Sequence, residues 1–270
     1  MNYAQKKRTV VHWLPVYGCM ATGVMYAGIG VVALLSFFKL RNGGADEGSL
    51  LAILNDYTIG KIFIGLILLG TVCYIIWRFY EAITDPYGYK NGVKGIVKRT
   101  GIALSTVADI FIVYSAIRIL LGASHIQPDG QPVEEREMAQ QLLQSYGSWP
   151  VIGLGVVYVV TAVVQLLYGI MQGYRERVDI ERFSSQFRHV VHFLAWVGYA
   201  ARGIILGIIG FFLLKAGVGD NARYVVNTDK AFDFIGDDVG HVWFIVVAVA
   251  TFCYGLFMFA QGVAYDTDRD

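Results

Sequence analysis

Six apolar runs constrain this chain more than any other feature: roughly Trp13–Phe38, Ile59–Tyr80, Gly101–Leu121, Pro150–Gln172, His192–Leu214 and Gly240–Gly262. A hydrocarbon core about 30 Å thick is crossed by about 20 helical residues. Continuous helix also satisfies internally the backbone groups that lipid cannot. The expected fold is therefore all-α, a polytopic membrane protein with six transmembrane helices forming one membrane domain over residues 1–270. With 56% hydrophobic and only 16% charged residues, the chain carries more apolar surface than a soluble core needs. No strand-like alternation competes with this reading.

The links between the runs set the orientation. Lys6, Lys7 and Arg8 precede the first run, Lys90, Lys94, Lys98 and Arg99 follow the second, and Arg175, Arg177, Arg182 and Arg188 follow the fourth. The other three links are acidic, as in ADEGS, PVEEREMAQ and AFDFIGDD. The positive-inside rule then puts both termini in the cytoplasm. The first run is too long for a cleaved leader, so an uncleaved first helix is expected. A net charge of +1 with no basic stripe gives no footprint for nucleic acid.

Shifting the chain against itself by 180 residues aligns His12 with His192, Gly23 with Gly203, Gly30 with Gly210, Gly60 with Gly240 and Tyr74 with Tyr254. The middle third fits more loosely through VYSAIRILLG and QLLYGIMQG. The unit is a helical hairpin repeated three times in parallel, at about residues 9–90, 91–185 and 186–270. Each unit has a short mixed segment before its second span: SLLAILNDY, MAQQLLQSY and KAFDFIG. These read either as brief surface helices or as ordinary folded links.

The motif GYAARGIILGIIG, followed by a second helix that opens near GH and ends in YGLFMFAQG, resembles the bacterial membrane family described as domain of unknown function 1206. The resemblance implies three two-helix repeats across nearly the whole chain and a bacterial cytoplasmic (inner) membrane setting, without implying an activity. The first unit has Thr22 where the third has Arg202, and the second has Val107 there and Ala108 for the glycine. The three units therefore do not carry three equivalent arginines.

Arg202 and Asp109 are the charges expected deepest in the membrane, where an ionised side chain is costly and marks either a packing lock or a site. Asp109 falls two positions beyond the counterpart of Arg202, so a pair across corresponding helices is expected. Gln165, Thr161, Thr22 and Tyr26 enlarge this polar centre. Arg118 and Glu81, with Arg78 and Asp85, read as rim charges, with Arg118 snorkelling outward. His12, His189 and His192 belong to the cytoplasmic rim, where interfacial hydrogen bonding is favoured over a metal or haem.

Gly23, Gly30, Gly203, Gly207 and Gly210 have helix-packing spacings. Cys19, Cys73 and Cys253 sit in apolar runs as small hydrophobes. No Walker loop, GxSxG, HExxH or CxxCH motif occurs, so no catalytic residue, metal or cofactor is assigned. The function expected is that of a structural or accessory membrane protein, with membrane lipids and a membrane protein as partners. The alternative is a small-solute or ion transporter centred on Asp109 and Arg202.

Overall fold

The computed structural model describes residues 3–40, 44–85, 131–179 and 183–265, with scattered positions between 95 and 121. The described residues form eight helices: α1 (Tyr3–Phe37), α2 (Glu47–Asn55), α3 (Thr58–Thr84), α4 (Val133–Tyr146), α5 (Trp149–Ile170), α6 (Ser185–Val218), α7 (Thr228–Phe234) and α8 (His241–Val263). Five stretches are long and apolar enough to cross a membrane: Trp13–Phe37 within α1, and the whole of α3, α5, α6 and α8. The chain is thus an all-α, multi-pass membrane protein. The remaining predicted span, Gly101–Leu121, lies largely outside the described residues, and so do Asp109, Arg118 and the side chain of His12.

The spacing of residues along α3 explains why it packs as it does. Ile64, Ile67, Thr71, Tyr74, Arg78 and Glu81 are buried at alternating steps of three and four, which puts them on one seam. Ile62, Phe63, Leu66, Leu69 and Ile76 lie on the exposed side, as an apolar face does when lipid is its solvent.

The three mixed segments are helical. α2, α4 and α7 each precede a long helix and together mark one face of the molecule. Capping explains where two of them start: Asp46 accepts from the Ser49 N–H at 2.7 Å, and Asn227 accepts from the Lys230 N–H at 3.1 Å. α7 runs through a wider turn, Ile235–Val239, into Gly240, whose φ of 133° suits only glycine.

The long helices pack by close backbone approach. Within one hairpin, a methyl on Gly18 would lie 2.5 Å from Tyr74 Cβ; within the other, a methyl on Gly198 would lie 2.6 Å from Tyr254 Cα. Between hairpins, α1 meets α8 where a methyl on Gly30 would lie 2.6 Å from the Phe252 nitrogen. In the same way α6 meets α5 where a methyl on Gly210 would lie 2.9 Å from the Val159 nitrogen. Gly23 and Gly203 are similarly tight, against Phe259 and Leu166, whereas Gly207 has ordinary room, 3.7 Å from Ala162 Cβ. Gly23, Gly30, Gly203 and Gly210 therefore stand at constrictions, and Gly207 does not.

Candidate functional site

Arg202 projects from α6 into the core and is only 5% exposed. Its Nη1 donates to Tyr254 Oη at 2.6 Å, and its guanidinium carbon lies 5.0 Å from the ring centre of Tyr26 and 5.4 Å from that of Tyr254. The two rings meet edge to face at 4.9 Å. A delocalised, weakly hydrated guanidinium tolerates such a site because ring faces and a hydroxyl replace part of its water. Thr22, at the position corresponding to Arg202, is buried, as are Thr161 and Gln165.

Two cavities lead from Arg202 towards the short-helix face. A small one of about 20 Å³ is bounded by Arg202, Tyr254, Thr251, Tyr26, Glu47 and Thr228, among others. That volume admits one water, and the walls supply polar partners for it. Beyond Tyr26 a larger cavity of about 130 Å³ runs between Leu206, Ile209 and Leu213 of α6 and Val151, Leu154 and Tyr158 of α5. Tyr26, Glu47, Leu206 and Thr228 line both spaces. From Arg202 to Leu213 the rise along α6 is about 16 Å. Arg202 thus marks the inner end of a path whose other end lies at the surface. On the far side of Arg202, Tyr199, Phe257 and Tyr174 fill the interior, their ring centres 5.4–5.6 Å apart in sequence.

The mouth of the larger cavity is built from the first turns of the three short helices: Glu47 and Gly48 of α2, Glu134 and Glu135 of α4, and Asn227 and Thr228 at the start of α7. α2 and α7 meet cap to cap. Asn227 Nδ2 donates to Asp46 Oδ2, Thr228 Oγ1 donates to Glu47 Oε2 at 3.0 Å, and the Ala45 N–H donates to Asp229 Oδ1 at 2.6 Å. Asp46 and Asp229 are buried, and burial pushes each carboxyl up to about 6, against the lowering effect of the hydrogen bonds each accepts.

At the opposite face Glu81 is fully buried rather than solvated at a rim. Its Oε1 accepts from Arg177 Nε at 3.0 Å and Nη2 at 2.5 Å, and Arg78 Nη1 lies 3.8 Å from its Oε2. Each arginine also lies over a ring, Arg177 over Tyr168 at 5.3 Å and Arg78 over Tyr74 at 5.5 Å. The chain after α5 is tied further to the end of α8 by the Val178–Tyr265 bridge, and the end of α8 is tied to α3 by Trp77 Nε1, which donates to Tyr265 Oη at 2.9 Å.

His192 also lies on this side. A guanidinium can only donate, so Nε2 accepts from Arg175 at 3.1 Å and the Nδ1–H is left to donate to Tyr174 Oη at 2.7 Å. His189 bonds the Ser185 carbonyl one turn back, at 2.9 Å. Among the described residues no three His, Cys, Asp or Glu side chains are placed to share a metal ion.

Sequence reasoning singled out Arg202 and Tyr26 but missed Tyr254 as the hydroxyl partner, Arg177 as the partner of Glu81, and the Asp46–Asn227 contact. The last had a signal: Asp and Asn are strong cap residues, and each stands three residues before a mixed segment.

These features define a polytopic helical membrane protein with a blind cavity between its long helices and a charged lock at the opposite end. The model of the family described as Domain of Unknown Function (DUF1206) matches residues 17–85 and again 197–264, about half of the chain, and the protein belongs to that family. The two matched stretches begin 180 residues apart, the register in which Gly23 aligns with Gly203. The chain is also 25% identical over 247 residues to the uncharacterized protein YxxB of Bacillus subtilis strain 168, an alignment that covers 91% of this chain and 88% of the relative. No solved structure matches the chain.

Proposed function

We propose that this is an accessory protein of the bacterial cytoplasmic membrane, built from three parallel two-helix repeats with both termini inside, that binds a small amphiphilic molecule from the outer side. The observation that carries this reading is the blind cavity between α5 and α6: apolar walls, a charged mouth, and an end at Arg202. A purely structural core would fill that space, because unfilled volume costs packing energy. A channel would continue past Arg202, where aromatic rings meeting edge to face instead occupy the interior. The acidic links, by the positive-inside rule, put the mouth outside. The exposed apolar faces of α3 and α5 are the surfaces on which lipids or a membrane partner would rest.

A second reading, transport by alternating access, draws on the position of Arg202 and its inferred counter-charge Asp109 near the middle of the membrane. In that reading the Glu81–Arg177 lock opens as the mouth closes. Cysteine labelling with a membrane-impermeant maleimide separates the two. Leu206→Cys, in a background without Cys19, Cys73 and Cys253, is expected to react from outside only. Arg175→Cys is expected to react from the cytoplasm, and Glu135→Cys and Asp237→Cys from outside. Labelling of Leu206→Cys from the cytoplasm under any condition establishes the transport reading, and labelling from neither side removes the cavity from consideration.

A further inference from the structure

A second space lies on the opposite face of α6 from the cavity. At about 100° per residue, Leu206, Ile209 and Leu213 line one side of that helix, and Ile204, Ile208 and Phe211 line the other. The latter three, with Val159, Val163 and Leu166 of α5, wall a groove of about 440 Å³. Its floor is the meeting of Gly207 with Ala162. The groove faces outward: Val163 is 49% exposed, Ile204 43% and Phe211 58%. Every residue that lines it belongs to α5, α6 or α7, whereas Tyr114, from the third apolar run, lines the cavity.

The matching seam between α1 and α8 shows why the groove exists. There Phe259 and Phe252 stand against Gly23 and Gly30, where the α5–α6 seam has the smaller Leu166 and Val159 against Gly203 and Gly210. Midway, a methyl on Gly255 would strike the Ala27 nitrogen, whereas one on Gly207 would lie 3.7 Å from Ala162 Cβ. One seam is closed by rings and backbone contact, and the other keeps room.

The groove also has a charged end. From Gly203 to Phe212 it rises about 14 Å along α6, close to half of a hydrocarbon core about 30 Å thick, and so spans one leaflet. One turn beyond Phe211 stands Lys215, exposed, its Nζ 5.8 Å from the ring centre of Phe212 and 4.5 Å from that of Tyr224. Two carboxylates that flank this end in sequence, Asp220 and Asp233, are met by Ser148 Oγ at 3.4 Å and by Lys230 Nζ at 2.7 Å. Gly217, two residues past Lys215, packs on Ile152 near the start of α5, where Trp149 is exposed as a tryptophan at a membrane interface is. Lys215 thus stands just below headgroup level, within reach of it by snorkelling.

We infer that the groove holds one acyl chain of an anionic phospholipid, with the phosphate at Lys215 and the chain running past Ile208 and Ile204 towards the middle of the membrane. A chain gains nothing by leaving water here, so its selection rests on close packing and on the headgroup. The groove supplies the packing, and Lys215 supplies a charge-assisted hydrogen bond. A second copy of the chain fits less well: a two-fold axis along the membrane normal would bring its own Lys215 to the same level, like charge towards like.

The experiment uses the full-length protein in nanodiscs of phosphatidylcholine and phosphatidylglycerol, equal in amount and identical in chains. Native mass spectrometry counts the phospholipids retained on release, and a parallel sample with a diazirine in the phosphatidylglycerol chain maps where that chain lies. One retained phosphatidylglycerol, favoured about fivefold over phosphatidylcholine and cross-linked to α5 or α6 within the groove, is expected, since one lysine near a membrane surface is worth about that factor. Lys215→Gln is expected to remove the preference and still retain one phospholipid. V163F/I204F, which fills the groove from its two exposed rims, is expected to abolish retention, while V160F, on α5 outside the groove, keeps it. Melting temperatures across the set check folding. Retention that survives V163F/I204F, or wild-type cross-links outside α5 and α6, overturns the site. An undiminished preference in Lys215→Gln overturns the headgroup assignment. Release of paired chains that V163F/I204F separates makes the groove an interface between copies and overturns the lipid. Labelling of Leu206→Cys reports on the cavity alone, so the binding function proposed above and this groove fail separately.

Discussion

The hairpin of α1 and α3 and the hairpin of α6 and α8 pack in the same way but are charged differently. In both, a glycine in the first helix lies against the tyrosine that begins the second half of its partner: Gly18 against Tyr74 in one, Gly198 against Tyr254 in the other. In both, a second glycine about three turns on presses against the neighbouring hairpin, Gly30 on Phe252 and Gly210 on Val159. The polar positions do not follow suit. Thr22 stands where the other hairpin has Arg202, and Gln261 stands where this one has Glu81. Packing positions answer to backbone distance, and any copy of the unit meets the same distance. A buried charge answers to its own partner, and a single partner sits at one place. The glycine contacts of the two hairpins therefore match while their chemistry is asymmetric, with the guanidinium towards the cavity in one hairpin and the carboxylate at the far lock in the other.

The largest expected effect tests that asymmetry at the lock. Glu81→Gln leaves Arg177 and Arg78 buried without their carboxylate, and loss of one member of a buried ion pair costs about 3–5 kcal/mol. Gln261→Ala, at the matching position, removes no charge and is expected to cost about 1–2 kcal/mol by analogy with ordinary buried polar changes. Thermal unfolding in detergent micelles measures both; equal losses would mean that the two hairpins are charged alike in effect.

The packing half of the comparison comes next. Gly30→Ala and Gly210→Ala each force a methyl against backbone nitrogen, and overpacking of this kind costs about 1–3 kcal/mol. Gly207→Ala meets only Ala162 Cβ at 3.7 Å and is expected to stay within about 0.5 kcal/mol of the wild type. A large loss for Gly207→Ala together with none for Gly210→Ala would break the equivalence of the two seams.

Arg202 is tested through its partners. Arg202→Gln and Tyr254→Phe each remove one side of the 2.6 Å bond, and their double-mutant cycle is expected to show a coupling of about 1 kcal/mol. The same cycle with Asp109→Asn measures the counter-charge inferred from the repeat alignment. Additive losses there would assign Arg202 wholly to Tyr26 and Tyr254.

The smallest effect concerns pH at the cap-to-cap contact. Asp46 and Asp229 are raised from 3.8 to about 6 by burial, so the folded protein keeps protons that the unfolded chain has released between those values. Their contribution to stability is complete below about pH 4 and is lost as the pH rises through 6. Glu47 adds to the upward pressure on Asp46, and Asp233 and Asp46 add to that on Asp229, while Lys230 opposes it. Asp46→Asn keeps a capping side chain but does not titrate, so melting curves between pH 5 and 7.5 are expected to fall a few degrees less than those of the wild type. An unchanged slope would detach the capping contact from the titration.

Much of this architecture is legible along the chain because it depends on local periodicity. Run length marks the five long apolar helices, the seam on α3 follows from steps of three and four, and Gly30 and Gly210, aligned in the 180-residue register, each meet a neighbouring helix. Gly207 shows where that legibility ends: its spacing matches a packing motif, but room at a seam depends on what faces it, and there the facing residue is the small Ala162.

Charges at depth are less legible still. Glu81 sits at the end of an apolar run, where solvation is the ordinary fate of a carboxylate. Only the return of the chain after α5 brings Arg177, 96 residues away, within 2.5 Å of it. The cavity and its acidic mouth depend on three short helices, distant in sequence, starting at one place. A sequence determines which segments are helical and which faces are apolar, because those properties act between near neighbours along the chain. Which charges meet, and which space stays open between helices, was decided only by the tertiary structure, because burial, distance and dielectric are properties of groups brought together across the fold.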